Sequence, residues 1–363
     1  MKRQFLAAIA AAVMVAAPAA AANYTITPMA TGLNHPWSMA FLPDGRVLIT
    51  ERAGRLRVLD KGKLGSISGV PKVYEKSQGG LFDVVLHPKF ADNGLIYLSY
   101  AAGTPSANAT HIARAKLVGN ALTDVKVIFT VSPKKNTPVH YGGRMLFLPD
   151  GTLLMTVGDG FDFREQAQKL ESGLGKVIRI TETGAVPADN PFVGKPGASK
   201  PTWSYGHRSP QGLALDPVTG RVYESEHGPQ GGDEINIIAR GANYGWPVAT
   251  KGLDYSGATI SPYKTYPGMK DAIVVWVPSI GPSGLAVYRG AMFKDWQGDL
   301  LTGALAIPQV KRIDMDANGK VIGQSRIFPE ITERVRDVRV APDGAIWIST
   351  DEDAGKVLRV TPK

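Results

Sequence analysis

His140 and Asp159 are the residues of this chain best suited by type and spacing to move a proton. His140 stands in Pro138-Val-His-Tyr-Gly-Gly-Arg144, directly ahead of an apolar run, and Asp159 closes the next one in Val157-Gly-Asp159. A histidine oriented by a carboxylate makes a general base near neutral pH. Gly142 and Gly143 leave room for a ligand to approach the backbone. The same pattern also describes a histidine that only closes a turn, and local sequence does not separate the two. Of the other histidines, His87 and His111 read as structural, and His35 stays ambiguous.

The densest polar stretch runs through Tyr205-Gly-His-Arg-Ser-Pro-Gln-Gly212, then Glu224 to Asn236, then Gly241-Ala-Asn-Tyr-Gly-Trp-Pro247. Its Gly/Pro-rich loop carries Asp233 and Glu234. Carboxylate and carbonyl oxygens in an irregular loop suit Ca²⁺ better than a transition metal, though an ordinary polar loop has the same composition. Further on, Arg334 and Arg336 alternate and, in a strand, would share a face. Two guanidiniums at a channel mouth bind carboxylates or phosphates bidentately; on a surface they would form a ladder with acidic neighbours. There is no phosphate loop, no Ser-His-Asp elbow, no zinc-type histidine spacing and no basic tract interleaved with aromatics, so nucleic acid is not an expected partner. With no cysteine, disulfides, thiolate metal sites and iron–sulfur clusters are excluded.

The elements that must hold these residues are strands. Met39-Ala-Phe-Leu-Pro-Asp-Gly-Arg-Val-Leu-Ile-Thr50 is nearly repeated from Met145 to Thr156 and again from Val338 to Ser349, with looser copies around Pro88, Pro217 and Leu285. In each, proline presets the turn, Asp-Gly fills its polar and left-handed positions, and the flanking apolar runs pair as a hairpin. Many copies continue through a second glycine turn into another strand, giving three or four strands per unit. A lone meander cannot bury both faces, so the units must stack. Six units in the 363-residue chain, with no linker-like tract, predict an all-β six-bladed β-propeller of antiparallel four-stranded blades. The 41 glycines and 26 prolines supply its turns, and the net charge of +9 permits an anionic ligand without naming one.

Residues 1–22 read as a secretory signal: Lys2 and Arg3, an apolar run from Phe5 to Ala17, then small residues to Ala22. That run is too short to span a bilayer, and no later one is long enough. The expectation is an exported protein whose residues 23–363 form one propeller domain, periplasmic where the host has two membranes.

Taken together, Gly32-Leu-Asn-His-Pro-Trp37, Gln78-Gly-Gly-Leu81, His140 to Asp159, Tyr205 to Gly212, Glu226-His-Gly-Pro229, Gly232-Asp-Glu-Ile-Asn236, Asn243 to Pro247 and Arg334-Val-Arg-Asp-Val338 resemble the soluble quinoprotein sugar dehydrogenases of the glucose/sorbosone dehydrogenase family, specifically their aldose sugar dehydrogenase branch. The resemblance implies a six-bladed propeller with pyrroloquinoline quinone (PQQ) and Ca²⁺ in the channel mouth. It implies oxidation of an aldose to a lactone, with electrons passed on to a quinone or other redox carrier. It implies that His140 takes the proton of the anomeric hydroxyl, that Asp159 orients His140, and that Arg208 with a calcium ion stabilises negative charge developing on the cofactor. Gln78, Ser209, Arg334 and Arg336 fall on cofactor-binding positions, the main-chain carbonyls of Gly228 and Pro229 on ligands of the cofactor's calcium, and Glu234 and Tyr244 on a second, structural calcium site. Two departures stand out: Ser209 replaces an asparagine, and Ala306 replaces a lysine or arginine facing the cofactor, with Lys311 or Arg312 as conceivable substitutes. Two other readings are a calcium-dependent lactonase or other hydrolase on a six-bladed propeller, and a non-catalytic binding propeller.

Overall fold

The computed structural model describes residues 23–363; the expected leader lies outside them. Twenty-four strands form six four-stranded antiparallel sheets, and these stand in a ring as the blades of a six-bladed β-propeller. Blades 1 to 5 are read directly along the chain, and their inner strands are Pro36–Phe41, Leu81–Leu86, Met145–Phe147, Pro210–Leu215 and Pro282–Val287. The expected copy near Leu285 is the fifth of these.

Blade 6 combines three C-terminal strands, from Val335–Val340 outward to Gly355–Pro362, with Tyr24–Leu33 as its outer strand. Tyr24 pairs with Pro362 and Ile26 with Val360, so the two ends of the described chain close the ring through main-chain hydrogen bonds. Closure of this kind leaves no long unpaired edge.

Burial follows position in the blade. Every residue of the second strands Val47–Glu51, Leu153–Val157, Val222–Glu226, Leu300–Ala304 and Ile346–Thr350 is buried, because both faces pack on neighbouring blades. The outer strand Val321–Ile327 is mostly exposed and correspondingly polar.

The inner strands share one irregularity that builds the site. In blades 1, 2, 4, 5 and 6 the first pairing is followed by a register shift, so the strand begins with a bulge. A bulge re-aims the side chain of its extra residue. Trp37, Phe82, Gln211 and Arg336 occupy these bulges and all four face one cavity at the channel mouth. The positions that follow in blades 1, 2 and 6, Ser38, Asp83 and Asp337, meet Arg144 and Arg339 instead.

Second-strand hydroxyls tie each bulge to its neighbour. Thr50 donates to the Phe82 carbonyl (2.6 Å), Ser99 to that of Gly143 (2.5 Å) and Ser225 to that of Ser283 (3.0 Å).

Below the cavity, the fully buried Arg144 joins five blades. Its Nε donates to the Gln211 carbonyl at 2.8 Å and its Nη2 to that of Arg336 at 3.1 Å, while Nη1 lies 3.1 Å from Asp337 and the guanidinium sits 4.0 Å over the Trp37 ring. Arg339 completes the floor on Asp337 (2.8 Å) and Asp83 (3.0 Å), and Asp83 also accepts from Ser38.

Candidate active site

The cavity above this floor has a volume of about 820 Å³. Within the range for ligand pockets, it is large enough for a drug-sized molecule with room beside it. Gln78, Gly228, Pro229, Arg334 and Arg336 line it, as does Ala306.

His140, Asp159, Arg208 and Ser209 stand in the wall behind these residues. His140 Nδ1 is 2.7 Å from Asp159 Oδ1. That oxygen also accepts from the Phe161 amide (2.8 Å), and Oδ2 accepts from Trp246 Nε1 (2.7 Å). Asp159 therefore serves three N–H donors, which places the proton of neutral His140 on Nδ1 and leaves Nε2 as the basic nitrogen. Among the described residues Nε2 has no protein partner, and it is not one of the fully enclosed polar atoms.

Main-chain contacts fix this histidine's position. Its amide donates to Gln78 Oε1 (2.8 Å), and its backbone takes φ of 51°. The buried Lys135 clamps the preceding carbonyls of Thr137 (2.5 Å) and Val139 (2.8 Å) with its ammonium over the Tyr141 ring. Burial pushes the His140 pKa below the ordinary histidine value; the Asp159 bond opposes this, and the charges of Arg208 and Lys135 add to it.

Gly142 lines the cavity, as ligand access requires, while Gly143 does not, and both are also needed for packing. Both have positive φ, and a Cβ would lie 2.5 Å from the Thr156 carbonyl at Gly142 and 2.7 Å from the Phe82 ring at Gly143.

Arg208 spends its guanidinium on the far wall. Nη1 donates to the carbonyls of Gly228 (2.6 Å) and His227 (3.1 Å), Nη2 to the Tyr255 hydroxyl (3.3 Å), and Nε is buried without a partner. Ser209 is buried; its hydroxyl accepts from Gln211 at 3.3 Å.

Arg334 and Arg336 converge as the alternation predicted, because the bulge at Arg336 turns it inward. Arg336 donates to Asp351 Oδ2 at 2.5 Å, and Arg334 reaches the same oxygen at 3.5 Å. Burial alone would raise the pKa of Asp351, but Arg336 and His35 hold it well below the carboxylate range. His35 is thereby explained: Nδ1 bonds Asp351 at 2.9 Å.

Arg52 also lines the cavity, and among the described residues its side chain has no hydrogen bond or ion pair. Sequence reading missed it because Arg52-Ala-Gly looks like a plain turn. Aligned on the blades, Arg52, His227, Leu305 and Asp351 all follow a second strand, and all four line the cavity.

Lys311 and Arg312 do not replace a cation at position 306. They lie on the third strand of blade 5, where Arg312 pairs with Asp299 (2.7 Å), and neither lines the cavity.

The loop carboxylates divide. Asp233 is a staple: it accepts from the amides of Gly228 (2.8 Å), Ile280 and Gly281 (both 2.7 Å) and from Ser279 (2.9 Å). Glu234 instead joins Glu224 and Glu226 around Asn236 Nδ2, at 3.5, 3.2 and 3.3 Å. His207 Nδ1 stands 3.4 Å from Glu226 Oε1. Burial, reinforced by Glu226, raises the pKa of Glu224 and pushes that of Glu234 up to about 8.

In the same cluster Glu224 Oε1, Asn236 Oδ1 and His207 Nδ1 are buried without hydrogen-bond partners. Such an oxygen-rich, under-satisfied pocket fits a hard cation. The Tyr244 hydroxyl is not free for one, since it donates to the Ile237 carbonyl (2.6 Å) and accepts from the Ala239 amide (2.8 Å) while its ring stacks on His207. Any oxygen Tyr244 offers a metal is its main-chain carbonyl.

The fold and this basic, histidine-bearing cavity define a six-bladed propeller built around a ligand site at its channel mouth. The model of the glucose/sorbosone dehydrogenase family matches residues 33–359, and the chain belongs to that family. The chain is 42% identical to aldose sugar dehydrogenase YliI of Escherichia coli K12, over 95% of each chain. It superposes with a TM-score of 0.90 on the crystal structure of the soluble aldose sugar dehydrogenase from E. coli in the apo-form, 40% identical, covering 94% of this chain and all of that one. Against the PQQ-bound aldose sugar dehydrogenase from Streptomyces coelicolor the TM-score is 0.75 at 28% identity, covering 93% of this chain and 98% of that one. Among the described residues no helix is long and apolar enough to cross a membrane.

Proposed function

We propose that this chain is an exported, periplasmic PQQ- and calcium-dependent aldose sugar dehydrogenase that oxidises the anomeric hydroxyl of aldoses to lactones. One observation carries the reading: the His140–Asp159 pair leaves Nε2 without a protein partner, in a loop whose next residues, Tyr141 and Gly142, line a cavity shared by three guanidiniums.

The residues fit a polyanionic cofactor. Arg334 and Arg336 share one carboxylate, Asp351, Arg52 has none, and Arg336 Nε is buried without a partner. Surplus guanidinium donors around an enclosed volume suit carboxylates. Gln78 and Gln211 add neutral donors. The Gly228 and Pro229 carbonyls would hold a calcium ion at the cavity wall, and as two oxygens they are too few for a full calcium shell by themselves. The Glu224–Glu226–Glu234 cluster would hold a second, structural calcium.

When bound, PQQ supplies the two-electron oxidant that receives the hydride of the anomeric C–H bond. His140 Nε2 accepts the proton of the anomeric hydroxyl, and the C=O bond of the lactone forms. Asp159 keeps the ring in the required tautomer and steadies the imidazolium that results. Arg208, held against Gly228 and Tyr255, sets fixed positive charge near the developing anion. A quinone or another redox carrier would be the final electron acceptor.

Reconstitution with PQQ and Ca²⁺, followed by an assay of aldose oxidation with an artificial acceptor, tests the reading; no turnover on any aldose overturns it. His140→Ala should lower kcat by about 10²–10⁴-fold while cofactor binding persists. Equal loss of both would make His140 structural. Because the His140 pKa is depressed, the acid limb of kcat/KM should fall below the ordinary histidine value of 6.5, the base being lost only when Nε2 is protonated.

A calcium-dependent hydrolase would need carboxylates converging on a channel metal. Both aspartates lining the cavity, Asp233 and Asp351, are already bonded to the protein.

A further inference from the structure

Strand alternation gathers four polar side chains of blade 4 into one block. Glu224 and Glu226 share a face of the strand Val222–Glu226, and Glu234 and Asn236 share a face of Asp233–Ile238. The register sets Glu224 opposite Asn236 and Glu226 opposite Glu234. Carboxylates directly opposite each other destabilise a sheet, and buried ones need a cation or a proton between them. Among the described residues no lysine or arginine side chain pairs with these three glutamates. The basic group that reaches them is His207, fully buried, with Nδ1 3.4 Å from Glu226 Oε1 and 3.9 Å from Glu224 Oε2.

His207 is held as a ligand would be. Its Nε2 lies 2.9 Å from Ser204 Oγ, so a proton on Nε2 is donated there and Nδ1 turns its lone pair towards the carboxylates. The ring is fixed by stacking on Tyr244, with centroids 4.7 Å apart. Glu226 spends Oε2 on the Arg208 amide (2.5 Å), which leaves Oε1 for the block. His207 Nδ1, Glu224 Oε1 and Asn236 Oδ1 have no hydrogen-bond partner, and ligand atoms of His207, Glu224 and Glu226 lie within 4.8 Å of one another.

The donors select the ion. Calcium takes roughly six to eight oxygens, whereas zinc is content with about four donors, imidazole nitrogen and carboxylate oxygen among them. His207, Glu224, Glu226 and, with its amide turned over, Asn236 supply one nitrogen and three oxygens from buried side chains. The half-buried Glu234 is the member nearest solvent and gives an ion a way in.

We propose that His207, Glu224, Glu226 and Asn236 form a mixed nitrogen–oxygen site that takes zinc ahead of calcium, so that zinc displaces calcium from this cluster. The ion neutralises the facing carboxylates and, through Glu226, braces the main chain at Arg208. None of this rests on the aldose dehydrogenase reading.

The test is metal competition on the purified chain after stripping with a chelator. Dialysed against zinc and a large excess of calcium, the wild-type chain should retain zinc, and zinc should raise its thermal midpoint more than calcium does. Cobalt(II) alone should give the visible absorption of a nitrogen-ligated, low-coordinate ion. His207→Gln and Glu224→Gln, which stay polar, should each weaken zinc at least about 10-fold, the loss seen even when a residue that merely supports a ligand is removed. Displacement of zinc by calcium, a cobalt spectrum without nitrogen ligation, or wild-type zinc affinity in both variants overturns the site. The first two outcomes use the wild-type chain and so decide the matter even if a variant fails to fold. If zinc binds as described but no aldose is oxidised, the dehydrogenase reading falls and the site stands.

Discussion

The channel floor and the cavity directly above it use the same side-chain chemistry to opposite ends. On the floor, the buried Arg144 and the half-buried Arg339 meet the buried Asp83 and Asp337: two cations and two anions in ion-pair distance of one another. In the cavity, three guanidiniums, Arg52, Arg334 and Arg336, have one available carboxylate: Asp351 pairs with Arg334 and Arg336, and the other lining aspartate, Asp233, is consumed by main-chain amides. The balanced cluster holds blades together. The unbalanced one retains donors and positive charge for something that is not protein. A single residue step along each inner strand separates them, with the bulge turning Arg336 up and the next position turning Asp337 down.

The sharpest way to break the comparison is at Arg144. Arg144→Leu removes the hub of five blades and strips two buried carboxylates of a partner, which should cost about 3–5 kcal/mol in urea unfolding. A loss below about 1 kcal/mol would mean the floor is no more structural than the cavity. Arg336→Ala should act on the other side of the divide. Affinity for PQQ, measured by equilibrium dialysis, should fall roughly 10- to 100-fold, the value of a charge-assisted hydrogen bond. Stability should change much less than in Arg144→Leu.

Ala306→Lys adds a cation to the already basic lining and should tighten PQQ by about 10-fold at most, with the gain fading at high salt. Unchanged affinity at low salt would show that position 306 does not face the anion.

The smallest effect concerns a clamp between blades 4 and 5, where Arg289 grips Asp216 at 2.9 and 2.7 Å. Burial alone would raise the Asp216 pKa, but Arg289 and Thr219 bring it down to about 2 from an ordinary 3.8. The clamp therefore contributes fully above the ordinary value and is lost as pH falls from 3.8 towards 2. Asp216→Asn should remove on the order of 1 kcal/mol at pH 7 and nothing at pH 2, seen in paired thermal melts.

Much of this molecule is written locally. The repeated Pro-Asp-Gly turns announced hairpins at Pro43, Pro149 and Pro342, and the stacking requirement of narrow meanders led from six copies to a closed ring. His140, Asp159, Arg334 and Arg336 were visible because a short motif or an alternation placed each in or next to a strand end. What stayed hidden depends on closure. Asp351 and Arg52 are 299 residues apart and belong to blades 6 and 1, so only the ring brings them to one cavity.

Trp246, which anchors Asp159, sat in a recognisable motif but had no visible task until its indole was seen 2.7 Å from that carboxylate. The commitment of Asp233 to amides and the gathering of Glu224, Glu226 and Glu234 are likewise decided by which blade faces which. Sequence alone determined the turns, the strand periodicity and the residue types at each strand end, because these obey local backbone and burial rules. Tertiary structure decided which charges found partners and which were left for a ligand, since that balance is struck only between segments far apart in the chain.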